Sequence, residues 1–203
     1  MPNWKVHLEI AKRINQKQNY TGKELEEFNL GSILPDINNC YIVTDISKKL
    51  DHKYTHYQDE INTPSYINFE NRYKNKIYED PLILGVYIHL YTDYTWNNYF
   101  YTNYDNHEKL QGLSYAEKRK IKQDDFKAYN DLFIENKPQF IYTQELVQKA
   151  KEIDRVSINE EDIKKVEKFL KEQQKSNNKY KILTEKILNE LLNETIVYFN
   201  KKL

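Results

Sequence analysis

The sequence predicts an all-α protein, a bundle of many helices. Three observations carry that prediction. Glycine and proline are scarce, 4 and 5 among 203 residues, and valine is sparse, which disfavours a sheet with many tight turns. Apolar residues recur at helical spacing, three or four apart, along most of the chain. Helix-start chemistry also recurs, as capping boxes and as an Asp-Pro pair.

Residues 3–18 read as an amphipathic helix, with Trp4, His7, Leu8, Ile10, Ala11 and Ile14 on one side. Thr21, with Glu24 three residues on, opens a short second helix. FNLGSILPDI follows, and Pro35 brings Asp36 out at a helix end or turn. Residues 37–79 show no sustained period and read as a long irregular loop, a common place for function. Asp80-Pro81 is an N-cap followed by proline at the first helical position, so a helix is expected to about Phe100. Gly85 lies one turn before His89 and would allow a close approach by another helix or a ligand. Ser114 and Glu117 form a capping box for a helix to about Asn136, ended by Pro138. Thr143 to Ile153 reads as helical, and Ser157 with Glu160 as a further start. Residues 176–179 read as a turn before a last helix running to about Asn200, its stripe Leu183, Ile187, Leu188, Leu191 and Phe199.

Lys plus Arg and Asp plus Glu both number 31, so the formal net charge is zero. That gives no general electrostatic signal for nucleic acid or an anionic membrane. No segment approaches the roughly 20 apolar residues of a membrane span, and the N-terminus lacks a signal-peptide core. Cys40 is the sole cysteine, so no disulfide forms within the chain. A cytoplasmic location is the expectation. Oligomeric state is not readable.

The chemistry concentrates in the first half. His89 and Asp93 are four residues apart in LGVYIHLYTDYTWNNYF and share one face of an apolar helix. Burying them unpaired is costly, and a divalent cation relieves that cost with an imidazole and carboxylate set. His7 on the apolar side of the first helix, Asp36, and His56 in KYTHY are further candidates. Asp125 lies one turn before Tyr129 on the apolar side of its helix and is an additional candidate ligand. His52 and His107 have polar neighbours and read as surface residues. The expected organisation is a single helical domain over 1–203, with 1–136 a metal-binding core and 137–203 charged packing helices. No nucleophile elbow, phosphate loop, dinucleotide fingerprint or Cys-x-x-Cys occurs.

The ordered series MPNWKVHLEIA, FNLGSILPDI, THY and DPLILGVYIHLYTDYTWN resembles the zinc-dependent phospholipase C family, which shares its fold with P1-type nucleases. The likeness covers about Met1 to Phe100. It implies an all-helical bundle with a metal-lined cleft and one or two zinc ions, or another divalent transition metal. In that pattern His7, His56 and His89 correspond to imidazole ligands and Asp93 to a bridging carboxylate. Asp36 corresponds to a ligand or base for the attacking water. The implied activity is metal-dependent hydrolysis of a phosphoric ester, with a small-molecule or lipid phosphoester as substrate. Two departures stand out. Secreted members use an N-terminal tryptophan as a ligand, whereas Trp4 is internal. They also carry a third-zinc motif of two further His and a Glu, whereas here only His107 follows, with Gln111 four residues later. A non-catalytic helical binding or regulatory module with a structural metal is the alternative reading. An HD-type nucleotide phosphohydrolase ranks below it, since no His-Asp dipeptide occurs.

Overall fold

A computed structural model describes residues 2–59, 64–135 and 144–203. Among the described residues the regular structure is entirely helical: ten α-helices, three short 3-10 turns and no strand. The all-α expectation is met. The helices are α1 (Trp4–Gln18), α2 (Gly22–Gly31), α3 (Leu34–Ile37), α4 (His52–Thr55), α5 (Ser65–Tyr73), α6 (Pro81–Tyr104), α7 (Tyr115–Asn130), α8 (Gln144–Lys151), α9 (Glu160–Glu172) and α10 (Glu185–Lys202).

α6 is the axis of the fold. Asp80 caps it, its carboxylate accepting from the Leu82 and Ile83 amides at 2.9 and 3.3 Å. Every residue from Pro81 to Leu90 is buried, so this half of α6 is core on all sides. The helix continues to Tyr104, one turn past the expected end. Gly85 meets the backbone of α2, where a Cβ would collide with the Phe28 carbonyl and approach the Ser32 amide within 2.8 Å. A Cβ on Gly31 would likewise strike the Leu82 carbonyl. Two glycines thus let α2 and α6 cross in backbone contact, which no larger residue permits. The approach that Gly85 was expected to allow is made by a helix.

The other elements close around this pair. α1 buries Trp4, Ile10, Ala11 and Ile14. α10 packs on α6 through Phe199 against Tyr87 and Tyr91, and through a Trp96 to Thr195 hydrogen bond of 3.2 Å. Each fully buried Leu, Ile or Phe contributes about 1.5–3 kcal/mol. A core of this size can offset a buried polar cluster costing several kcal/mol.

Several boundaries differ from expectation. The stretch 37–79 is not all loop: α5 forms within it, burying Phe69 between Tyr57 and Tyr73. Thr21 starts α2 without a side-chain cap. α9 opens two residues late, at a capping box of Asn159 and Asp162. Ser157 is instead held by Asn38, whose side chain bonds its amide and carbonyl at 3.0 and 2.6 Å. α7 carries the expected Ser114 and Glu117 capping box but ends at Asn130 in a 3-10 turn. Leu183 precedes α10, which Thr184 caps and which runs to Lys202. Asn136, Pro138 and Thr143 lie outside the described residues. No helix among the described residues is long and apolar enough to cross a membrane.

Candidate metal centre

Four local structures aim side chains at one point. α1 presents His7 from its buried face. α3, started by Pro35, presents Asp36, and Asn39 steadies its Oδ1 with a 2.7 Å hydrogen bond. α4 is capped by Asp51, which accepts from the Lys53 and Tyr54 amides, and His56 stands at its C-terminal end. α6 supplies His89 and Asp93 one turn apart. All five residues are at most 4% exposed.

The distances show why this is not an ordinary polar cluster. The His89 Nδ1–H donates to the Ser32 carbonyl at 2.8 Å, and the His56 Nδ1–H to the His52 carbonyl at 3.0 Å. A carbonyl only accepts, so both rings carry a proton on Nδ1 and, when neutral, turn a lone pair on Nε2 inward. Those two Nε2 atoms are 3.3 Å apart. Each lies 3.4 Å from Asp93 Oδ2, and His56 Nε2 is also 3.4 Å from Asp36 Oδ1. His7 Nε2 is 3.3 Å from Asp93 Oδ1 and its ring stacks on His89 with centroids 4.1 Å apart. Lone pairs and carboxylate oxygens therefore face one another across a buried centre.

Both oxygens of Asp93, Oδ2 of Asp36 and both nitrogens of His7 are buried without a hydrogen-bond partner. Such orphaned acceptors cost about 1–3 kcal/mol each, more when charged. A shared positive charge resolves the acceptors among them together, namely the carboxylate oxygens and the one lone pair of a neutral His7 ring. A proton does so in part. Burial opposes a charge on His56, but Asp36 and Asp93 outweigh it and raise the ring to about 9. Burial alone would raise the two carboxyls, yet the imidazoles win: Asp36 falls to about 2 and Asp93 well below its ordinary range. His7 is lowered by burial and then by His89. A divalent cation does more than a proton, since it cancels both carboxylate charges and accepts several imidazole lone pairs. The His7, Asp36 and His89 donors fall within 4.8 Å of one another, as do those of His56, His89 and Asp93. Three imidazoles with two carboxylates suit zinc.

Asp125, the sixth candidate from sequence, does not join them. Its two oxygens are taken by the amides of Lys181, Ile182 and Leu183 at 2.6, 3.1 and 2.9 Å. That carboxylate is spent on the segment leading into α10. His107 caps a 3-10 turn by accepting from the Lys109 amide, and Gln111 bonds the Asn106 carbonyl. His52 had read as a surface residue. Its ring stacks on His56, centroids 3.8 Å apart and planes 12° off parallel, and it shares a further potential ligand group with Asp36 and His56. Burial, and then the neighbouring His56 charge, lower it to about 4. Its four-residue spacing from His56 was the available signal.

The cluster opens on one side into a cleft of about 1700 Å³, whose wall includes Asp36, His56 and Asp93.

The profile of the zinc dependent phospholipase C family matches residues 6–196. The chain belongs to that family. Neither a curated protein nor a solved structure matches the chain at a significant level. Family membership supports a metal-dependent hydrolase and names zinc as its metal. It reaches well beyond the first half of the chain, where the sequence likeness ended.

Proposed function

We infer that the protein hydrolyses a phosphoric ester, using zinc held by His7, His56, His89 and Asp93. The observation that carries this reading is the set of buried, partnerless donors at the head of an open cleft. Zinc bound there would lower the pKa of a coordinated water to about 7 and so supply hydroxide at neutral pH.

The remaining work falls to the chain. Ser32 and His52 hold the two imidazoles in the tautomer that exposes Nε2. Asp36 Oδ1 is fixed by Asn39, which leaves Oδ2 partnerless and able to orient the attacking water or accept its proton. Its pKa near 2 keeps Asp36 ionised across the physiological range. Burial of the back wall strengthens these charge interactions. The substrate class is a phosphodiester or a phospholipid-like ester taken from the cleft side.

The test is hydrolysis of a chromogenic phosphodiester, a phosphomonoester and phospholipid vesicles by zinc-loaded protein. Chelation should abolish turnover of one class and zinc should restore it. Asp36→Asn should lower kcat by about 10²–10⁴-fold, the range of a general base. No zinc-dependent turnover of any of the three would sink this reading.

A further inference from the structure

The cleft has a second wall, and it is basic. α7 contributes Tyr115, Arg119, Lys122, Gln123 and Lys127 to the lining. These positions are 4, 7, 8 and 12 residues beyond the first, so they follow one helical face. Arg119 and Lys127 are exposed, whereas Lys122 is only 4% exposed. A lysine normally sends its ammonium to water or pairs it with a carboxylate when buried. Lys122 does neither. Its Nζ donates to Asn97 Oδ1 at 2.6 Å and to the Tyr101 hydroxyl at 3.2 Å, and it sits 4.6 Å from the Tyr101 ring centroid. Among the described residues no carboxylate forms an ion pair with it. Two neutral acceptors take two of its three N–H groups, and among the described residues no further oxygen or nitrogen accepts the third, which leaves the ammonium only the faces of Tyr101 and Phe100.

The supports of Lys122 tie it to the metal centre. Asn97 lies one turn beyond Asp93 on α6 and donates its Nδ2 to the Asp93 carbonyl at 2.7 Å. The amide is thereby oriented with its oxygen toward Lys122. Tyr101, one turn further, stacks on Tyr115 with centroids 5.9 Å apart. Asp93, Asn97, Tyr101 and Lys122 all line the same cleft. A positive charge is thus held desolvated beside the candidate zinc centre, in the field of Asp93 but, among the described residues, with no carboxylate in ion-pair contact.

We propose that Lys122 is the anion anchor of the cleft, its ammonium binding a phosphate oxygen of the substrate, with the Arg119 guanidinium one turn away on the exposed side of α7. The identity of the anion rests on the phosphoester reading above; the binding itself is tested without turnover. Inorganic phosphate is titrated calorimetrically into wild type, Lys122→Met and Lys122→Arg, each zinc-loaded and each chelated, with zinc content and melting recorded. Lys122→Met should weaken phosphate binding by about 10–100-fold, the worth of one charged hydrogen bond, with zinc content unchanged. Lys122→Arg should keep affinity within about fivefold, since the charge is preserved. Equal affinity in wild type and Lys122→Met would overturn the proposal, as would wild type that binds no phosphate at millimolar concentration.

Should Lys122→Met fail to fold, wild type decides. Acetylation of Lys122 by a small reagent, read by mass spectrometry, should slow when phosphate is present, and an unchanged rate would overturn the proposal. The two readings fail separately. Lys122-dependent phosphate binding without turnover would refute the hydrolase and leave the anchor. Turnover with phosphate binding that depends on zinc alone would do the reverse.

Discussion

Asp93 and Asp125 are both buried carboxylates on long helices, yet their surroundings differ completely. Asp125 accepts three backbone N–H bonds from residues 181–183. Asp162 is similar, bonded by the Asn159 and Ser47 amides and the Ser47 hydroxyl. Asp93 receives no hydrogen bond at either oxygen and faces the inward nitrogens of His7, His56 and His89. The chain can satisfy a buried acid when it needs one for structure. Where it supplies only lone pairs, the missing partner is a cation. Burial and acidity alone therefore do not mark a ligand; the nature of the facing atoms does.

Paired substitutions break the comparison most directly. Asp93→Ala should lower zinc affinity by well over 100-fold, since removing groups one bond beyond a ligand already costs about 10–100-fold. Asp125→Leu should leave zinc affinity within a few-fold and instead cost about 3 kcal/mol or more of stability. It strands the two buried amides of Ile182 and Leu183 at about 1–3 kcal/mol each, and the part-buried amide of Lys181. Zinc titration and chemical denaturation of both variants separate the two effects, and equal zinc affinities in them would contradict the distinction.

Gly85→Ala joins the two kinds of damage. The added Cβ meets the α2 backbone, not a flexible side chain, so a loss of about 1–3 kcal/mol is expected from overpacking. It should also move the Ser32 carbonyl away from His89 and weaken zinc by about tenfold. A variant destabilised with unaltered zinc affinity would show that the helix crossing does not orient His89.

A pH dependence sharpens the account without any substitution. The folded pKa of His56, about 9, lies above its ordinary 6.5. The metal-free protein therefore holds the His56 contribution in full below pH 6.5 and loses it as pH rises through about 9, whereas Asp36 and Asp93, held below 3.8, contribute above that pH and lose their share in acid. Zinc must displace the same proton. Its affinity should climb about tenfold per pH unit toward 9 and level off above it. A flat profile between pH 7 and 9 would place the proton elsewhere.

Local chemistry made much of this legible. The Asp80-Pro81 start, the capping box at Ser114 and Glu117, and the i, i+4 pair His89 and Asp93 depend on neighbours within a turn, and each was readable from residue type. Lys122 carried a local signal as well, lying four and seven residues before Phe126 and Tyr129 on the apolar side of α7. That signal is masked by residue type, since a lysine on an apolar face ordinarily carries its ammonium out to water. α5 was hidden in a stretch rich in Asn and Tyr, although Tyr66, Phe69 and Tyr73 keep helical spacing. The fate of Asp125 was not readable, because the amides that claim it come from more than fifty residues away. The inward turn of the His56 ring rests on the backbone of His52 in a four-residue helix that no periodicity announces.

The most direct test of the central claim is the zinc content of wild type, His89→Ala and Asp125→Leu. Each is purified without chelator, dialysed against limiting zinc and analysed by inductively coupled plasma mass spectrometry. One or two equivalents of zinc should remain in wild type and in Asp125→Leu and be lost from folded His89→Ala. Zinc retained by His89→Ala as by wild type, or absent from all three, would contradict a metal centre built on these donors.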